Sequence, residues 1–212
     1  MNKATTNFID LYTREKKTIE SNSSEILNGL RTDAMLNFKK LGLPSRKLEK
    51  YKYTDVQKYF EGDFLTNFER KPIDYNPSEV FKCEVPNLNT VQAFLLNDSF
   101  HPTIDKKDLL PKGVTLGSLS QMADRFIEWF GKYYGKIANT RENALVALNT
   151  ALVQDGVFIY IPKNTVVDVP IQLINVLAGQ ESTLVNRRLL IVAEENAQVN
   201  ILMCNHAVSA VD

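Results

Sequence analysis

The chain is poor in the side chains that usually hold metals. Its 212 residues include two cysteines, Cys83 and Cys204, and two histidines, His101 and His206. Zinc sites draw on Cys and His clustered at short spacings, and the two cysteines stand far apart with no CxxC partner. No metal-binding residue is therefore assigned. A disulfide is not expected in a reducing compartment, so both thiols read as small buried hydrophobes, the usual place of free cysteine. An excess of charge is also missing. Lys plus Arg and Asp plus Glu number 25 each, which removes the bulk positive charge that generic phosphate binding needs. Nucleic acid is not expected as a main partner. No window approaches the ~18 uninterrupted apolar residues of a membrane span. The first residues, MNKATTNFIDLYTREKK, carry charges of both signs and lack the apolar core and cleavage site of a secretion signal. The expected location is the cytoplasm, with no membrane partner, and the Asn-x-Ser triplets at Asn22 and Asn97 then carry no meaning.

Catalytic signatures are missing as well. There is no GxxxxGK[ST] and no GxGxxG after a strand, so phosphate-cradling loops are absent by sequence. Neither a GxSxG elbow nor an HExxH pair occurs. Glu194-Glu195 and the pair Asp105 and Asp108 are neighbouring carboxylates, but a paired-acid glycosidase needs its acids on opposite sides of a cleft. Adjacent glutamates in a turn read as a solvated corner. Cys204 and His206 lie two apart in an alternating run, which puts both on one face. A neighbouring imidazole can activate a thiol, yet packing is the preferred reading. No catalytic and no cofactor-binding residue is assigned, and the chain is not expected to be an enzyme.

What is present has ordinary globular proportions, 44% hydrophobic and 24% charged, and the length allows one large domain or two small ones. Phe8, Leu11, Tyr12 and Ile19 form a sparse helical stripe that Ser21–Ser24 interrupts. Leu27, Leu30, Ala34, Phe38 and Leu41 then repeat at helical spacing, with Ser23 or Ser24 as the cap and Gly42 and Pro44 as the stop. A helix is expected over about 24–41. LPSRKLEKYKYTD (43–55) is basic, aromatic and turn-rich. Arg46, Lys47, Lys50 and Lys52 with Tyr51 and Tyr53 resemble a small nucleic-acid patch, but Glu49 and Asp55 dilute it, and a docking or folding role is preferred. Residues 60–88, with Pro72, Pro77 and Pro86, read as an irregular connector. Leu88–Asn97 reads as a strand ending in an Asn97-Asp98 turn, and Gly113–Leu119 as another short strand.

Ser118 and Gln121 fit a capping box. A helix follows with Met122, Phe126, Trp129, Phe130, Tyr133 and Ile137 on one apolar face, best read as core. Another helix starts from Asn139, with Glu142 as its cap partner, buries Leu145, Leu148 and Leu152, and ends at Gly156. Beyond Gly156 the period changes. Val157–Ile161, Val166–Val169, Ile171–Leu177, Thr183–Ala193 and Val199–Met203 are β-type runs, punctuated by Gly179-Gln180, Glu194-Glu195-Asn196 and Asn205. No helix fits between them, and parallel neighbours need a long crossover unless the chain winds as a coil. This half is either an antiparallel meander or the opening rungs of a β-helix. The last run ends without the cap that a solenoid requires, which points to a truncated chain or a missing C-terminal half.

Two segments carry a family resemblance. PSRKLEKYKYTDV (44–56) resembles the Pro-x-Arg-x-x-Glu-x-aromatic-Lys-Tyr-Thr-Asp box near the N-terminus of the SufB/SufD family. LNTALVQDGVFIYIPKNTVVDVPIQLINV (148–176) is similar to that family's junction from helix to β-helix, and RLLIVAEENAQVNIL (188–202) to its next rungs. The likeness spans most of residues 40–205 and is closer to the SufD branch. Tyr51 stands where the family commonly has tryptophan.

The resemblance implies an α+β chain. Its fold would be a mainly helical N-terminal domain with a few short strands, over 1–155, followed at 156–212 by the first rungs of a right-handed parallel β-helix. It implies a non-catalytic scaffold subunit that works with SufB-like and SufC-like subunits in iron–sulfur cluster assembly. The SufC ATPase would drive rearrangement of the SufB–SufD pair. The cluster would be the product of the whole complex, and no cofactor is expected on this piece. Most partner contacts in the family fall beyond residue 212, so none is carried over to a position here. An exposed last rung would favour self-association. A free-standing β-helical interaction module and a carbohydrate-active β-helix enzyme remain the alternatives.

Overall fold

The computed structural model describes residues 2–71, 88–179 and 181–208. Cys83 and most of the connector expected over 60–88 lie outside the described residues. The chain divides into two compact units, each assembled from separate segments: 1–69, 123–154 and 181–186 in one, and 70–122, 155–180 and 187–212 in the other. Each unit draws on both sides of residue 155.

The first unit is helical. Helix α1, Lys3–Ser21, starts where the Asn2 side chain accepts from the Thr5 amide at 2.8 Å. Helix α2, Glu25–Leu41, is capped by Ser24, whose hydroxyl accepts from the Leu27 amide. It stops at Gly42, which adopts φ 65° and donates its amide to Phe38 O at 2.8 Å. These local signals are the ones that define helix ends. A 3-10 turn, Glu49–Tyr51, and the short helix α3, Val56–Tyr59, follow. Phe8 meets Phe38 and Phe60 edge-on at 6.4 and 5.5 Å and stacks on Phe64 at 6.3 Å. Such pairs add about 0.5–1.5 kcal/mol each beyond the burial of area. Segment 181–186 joins this unit through backbone bonds between Leu65 and residues Ser182 and Leu184, at 2.9 and 2.8 Å.

Three expectations for residues 118–156 change. The single helix after Ser118 is two, α4 over Leu119–Ala123 and α5 over Ile127–Tyr133. Between them Phe126 leaves helical geometry at φ −116°, ψ 37°. The break redirects the aromatic face: Phe130 and Tyr134 are buried, whereas Ile137 is 77% exposed. The next helix, α6, is Ala144–Leu152 rather than a helix from Asn139. Asn143 caps it, accepting from the Leu145 and Val146 amides, while Asn139 forms a turn of its own by accepting from the Arg141 amide. Gly156 does not terminate this helix. The chain leaves α6 at Val153 and Gly156 is the second residue of a strand.

The second unit is built on strands β1 (Val91–Leu96), β2 (Ser99–Asp105), β3 (Thr115–Ser118), β4 (Asp155–Ile161), β5 (Val166–Ala178), β6 (Arg187–Ala193) and β7 (Gln198–Val208). They form two mixed sheets, ordered β2-β1-β5-β7 and β3-β4-β6. The hairpin partners β1/β2 and β3/β4 are antiparallel. The pairs β1/β5, β5/β7 and β4/β6 are parallel. Strands consecutive after residue 155 do not pair with one another, so the antiparallel meander is excluded. Instead Asp155 aligns with Arg187 and Ile161 with Ala193, and Val166 with Gln198. Both alignments start with the same chain spacing, which β4/β6 keeps and β5/β7 shortens from Ile171 with Ile201 onward.

An apolar core lies between the sheets, with Val91, Ala93, Ile159, Ile161, Ile171 and Leu173 among its fully screened members. The opposite face of β1 and β5 carries a second cluster, Phe94, Leu96, Ile174 and Val176. Burial of β5 on both faces explains its continuous hydrophobic run. The two runs expected over 166–169 and 171–177 are one strand. Pro170 sits where the register with β7 shifts, between Val167 and Ile171, a place where a missing amide is tolerated. Strand β2 was not anticipated. The run from Thr183 reaches the sheet only at Arg187, and Asn205 lies inside β7 rather than at a turn.

Candidate functional site

Four charged groups of the strand unit, Arg70, Asp98, Asp155 and Arg187, converge on one cluster. Asp155 opens β4 and is 1% exposed. Its Oδ1 accepts from the Ser118 hydroxyl at 2.8 Å and the Ser120 amide at 3.1 Å. Its Oδ2 accepts from Arg70 Nη2 at 2.9 Å and the Phe100 amide at 3.2 Å. Arg70 Nη1 donates in turn to Ser120 Oγ at 2.8 Å. A buried carboxylate is tolerated when paired and hydrogen-bonded in this way.

The turn between β1 and β2 completes the cluster. Asn97 takes the left-handed conformation, φ 48°, which asparagine tolerates better than most residues. Its side chain exchanges two bonds with the Ala178 backbone at the end of β5, at 2.9 and 3.0 Å. Its carbonyl accepts from Arg187 Nη1 at 3.1 Å. Beside it Asp98 is 5% exposed. Burial pushes its carboxyl up to about 6, against the opposing pull of its own backbone amide, Ser99 and Arg70. Burial also lowers the Arg187 guanidinium from its ordinary value, with Asp98 opposing that shift. Asp155 and Arg187 face each other in register. The cluster therefore ties together the starts of β4 and β6, the end of β5, and the β1–β2 and β3–α4 turns. Its bonds run between strand ends and turns, so it acts as a lock on the sheets.

The singled-out residues lie elsewhere. Cys204 and His206 are on β7, both half-buried on the same face as expected, opposite Ile174 and Val176. Gln172 Nε2 donates to Cys204 Sγ at 3.5 Å. Glu194 is not a plain solvated corner. Its Oε2 accepts from the Tyr160 hydroxyl and the Lys163 amide, both at 2.9 Å, while Glu195 pairs with Lys163 Nζ. Asp105 ends β2, and Asp108 lies in a 3-10 turn. His101 is on β2, where desolvation lowers it from its usual value. Among the described residues no three Cys, His, Asp or Glu side chains gather as metal ligands, and no helix is long and apolar enough to cross a membrane.

The basic box forms an exposed turn in the helical unit. Arg46 Nε donates to the Lys52 carbonyl at 3.3 Å, and Asp55 caps α3 by accepting from the Lys58 amide at 3.2 Å. Leu43 and Val56, both buried, and Tyr51, half-buried, turn toward the core. Sequence reading missed Arg70, Asp98, Asp155 and Arg187. The signal was there, in acids placed at strand ends between apolar runs, but each looked like a turn residue.

Comparison with known proteins adds a family. A family model described as the SufBD protein N-terminal region matches residues 2–173. An iron–sulfur cluster assembly SufBD family protein of Synechocystis is 27% identical over 197 residues, covering 92% of this chain and 43% of that protein. The iron–sulfur cluster assembly protein SufD of Bacillus subtilis is 29% identical over 183 residues, covering 82% of this chain and 40% of that protein. A SufBD family protein of Arabidopsis thaliana is 37% identical over 95 residues, 45% of this chain and 20% of its own length. The chain thus spans less than half the length of these relatives.

Proposed function

The chain belongs to the SufBD family, and from that premise we propose that it is the N-terminal part of a SufD-like, non-catalytic scaffold subunit for iron–sulfur cluster assembly. The family match over residues 2–173 carries the reading. The SufD branch is favoured because likeness to the Bacillus SufD runs along 82% of this chain. The working location is the cytoplasm, the partners are SufB-like and SufC-like subunits, and the cluster is the product of the assembly rather than a resident group of this piece.

In this reading the two sheets are the opening coils of a right-handed parallel β-helix. The equal spacing at which both pairs start, Asp155 with Arg187 and Val166 with Gln198, supports a coil that repeats its path, with a register shift in β5/β7 between Val167 and Ile171. The stacked turn of Asn164 and Asn196, at φ 57° and 60°, supports it too. The chain would supply shape and interface, with most partner contacts made beyond residue 212. Its own last strand would be open to a second copy.

The test is a pull-down with purified SufB-like and SufC-like subunits, using the longest form its coding region supplies and the 212-residue chain in parallel. Capture by the longer form alone is expected. Strong capture of the SufC-like subunit by the short chain would misplace the interface, and capture by neither would overturn the scaffold role.

A further inference from the structure

Residues 46–59 leave three large side chains in water that the fold does not use. Leu48 is 54% exposed, Tyr53 90% and Tyr59 74%. Lys47, Lys50, Lys52 and Lys58 are exposed around them. The acids of this stretch do not cancel them: Glu49 and Asp55 stand against these four lysines and Arg46. In a chain with no net charge this is a local positive excess. The turn that presents these groups is held by hydrogen bonds. Leu48 N donates to Ser45 O at 3.0 Å, Tyr51 N to Leu48 O and Thr54 N to Tyr51 O at 2.9 Å, and Gln57 Nε2 fastens it to Leu43 O at 2.9 Å. Lys52 Nζ already lies 5.6 Å above the Tyr53 ring. Beside the turn is a cleft of about 330 Å³ with Leu41, Pro44, Leu48, Tyr51 and Ala144 in its lining.

We propose that this turn and cleft form a docking surface for an acidic segment of a partner protein that inserts an apolar side chain. Exposed tyrosines on a hydrogen-bonded turn are of the type found in binding hot spots, and their short list of rotamers loses little entropy on binding. Charge complementarity selects an acidic partner and makes the encounter sensitive to salt. Protein is favoured over nucleic acid because Leu41, Pro44, Leu48, Tyr51 and Ala144 in the cleft suit an inserted apolar side chain, while Glu49 and Glu142 in the same lining keep the segment's acidic residues outside it, on the lysines of the turn. Taking the partner to be a subunit of the assembly rests on the scaffold reading. The chemistry of the surface does not.

The experiment has two arms. In the first, a labelled peptide, Glu-Glu-Leu-Glu-Asp-Leu-Leu-Glu-Glu, is titrated into the 212-residue chain, into K47E/K50E/K52E and into L48S/Y53A, with melting temperatures confirming that the variants fold. Binding that weakens with salt and falls at least tenfold in both variants is expected. No binding by the parent chain, or equal binding by the variants, overturns the proposal, as does tighter binding of a single-stranded oligonucleotide than of the peptide. In the second arm the longest form and its charge-reversed variant are titrated with the purified SufB-like and SufC-like subunits. A tenfold loss in the variant for one of them places the surface in the assembly. If both subunits bind parent and variant alike, the partner assignment falls while the scaffold reading stands. If neither subunit binds the parent, the scaffold reading falls, and the peptide arm decides the surface by itself.

Discussion

A side-chain carbon placed on Gly156 would overlap the backbone carbonyl of Arg188 and lie 2.6 Å from its amide nitrogen. Gly156 takes φ 158° and faces Arg188 across the parallel β4/β6 pair. The obstacle is backbone on both sides, so no rotamer change relieves it. Glycine within a strand commonly marks such a close approach. Gly156→Ala should therefore cost at least about 3 kcal/mol, in the range of strain and overpacking at special backbone positions. Urea unfolding measures it, and a midpoint equal to the parent's would show that β4 and β6 are not this close.

The turns that join the sheets obey a related rule. Asn196 Nδ2 donates to Asn164 Oδ1 at 3.0 Å, and the two residues adopt φ 60° and 57°. Asparagine meets both demands, a left-handed backbone and a side-chain ladder. Asn196→Ala should lose about 1 kcal/mol or more through both effects, whereas Asn196→Gly loses the ladder alone and relieves the backbone. The order parent, Gly, Ala in melting temperature is the expected result. Alanine as stable as glycine would remove backbone strain from the account.

Caps of this kind are what a sequence shows well. Ser24 and Gly42 bracket α2 because both act within one turn of the helix. Parallel pairing is a different matter, since nothing local links Asp155 to Arg187, and periodicity alone left a meander and a coil equally open. Strand β2 escaped notice because SFHPTID does not alternate and contains Pro102. Its place at the edge of the sheet is where proline is admitted. The helix expected after Ser118 failed for a tertiary reason, since the chain bends at Phe126 and turns Phe130 and Tyr134 inward. The buried cluster stayed hidden because Asp98 and Asp155 are turn-type residues by composition. Only their burial shows them to be partners of Arg187 and Arg70.

Asp98 gives the pH dependence its sign. Its folded carboxyl titrates at about 6, above the ordinary value near 3.9 that the unfolded chain would show. The folded state therefore holds this proton more tightly. The associated stability is fully present below about pH 4 and is lost as pH rises through about 6, a span of at most ~3 kcal/mol. Asp98→Asn keeps the volume and removes the ionisation. It should stabilise the protein above pH 6.5 and do little at pH 4, as read from denaturant midpoints across that range. A variant whose gain is independent of pH would assign the effect to packing.

Among the described residues Arg31 is the largest fully buried side chain, 0% exposed. It donates to Ala151 O at 3.0 Å, Ser23 Oγ at 2.7 Å and Asn28 Oδ1 at 2.9 Å, and burial lowers it from its ordinary value. The first two bonds join α2 to α6 and to the turn before α2, and the third lies within α2. Arg31→Ala empties the space and strands the acceptors, a loss of about 3–5 kcal/mol. Arg31→Lys should recover only part, because an ammonium cannot reach three acceptors arranged for a planar fork. Equal stability of Lys and Arg in thermal unfolding would mean that charge, not geometry, holds this position.

The last strand sets how the chain meets its own kind. Strand β7 reads QVNILMCNHAV and lies at the end of its sheet. It contains no Lys, Arg, Asp, Glu or Pro, the residues that ordinarily discourage edge-to-edge pairing. Met203 on it is 55% exposed. The 212-residue chain should therefore self-associate with rising concentration, and Met203→Lys should shift it toward monomer without lowering its melting temperature. Sedimentation over a hundredfold concentration range reads the balance. A parent chain that stays monomeric throughout would show that this edge is guarded by its twist or covered by the chain itself, and that association needs a different surface.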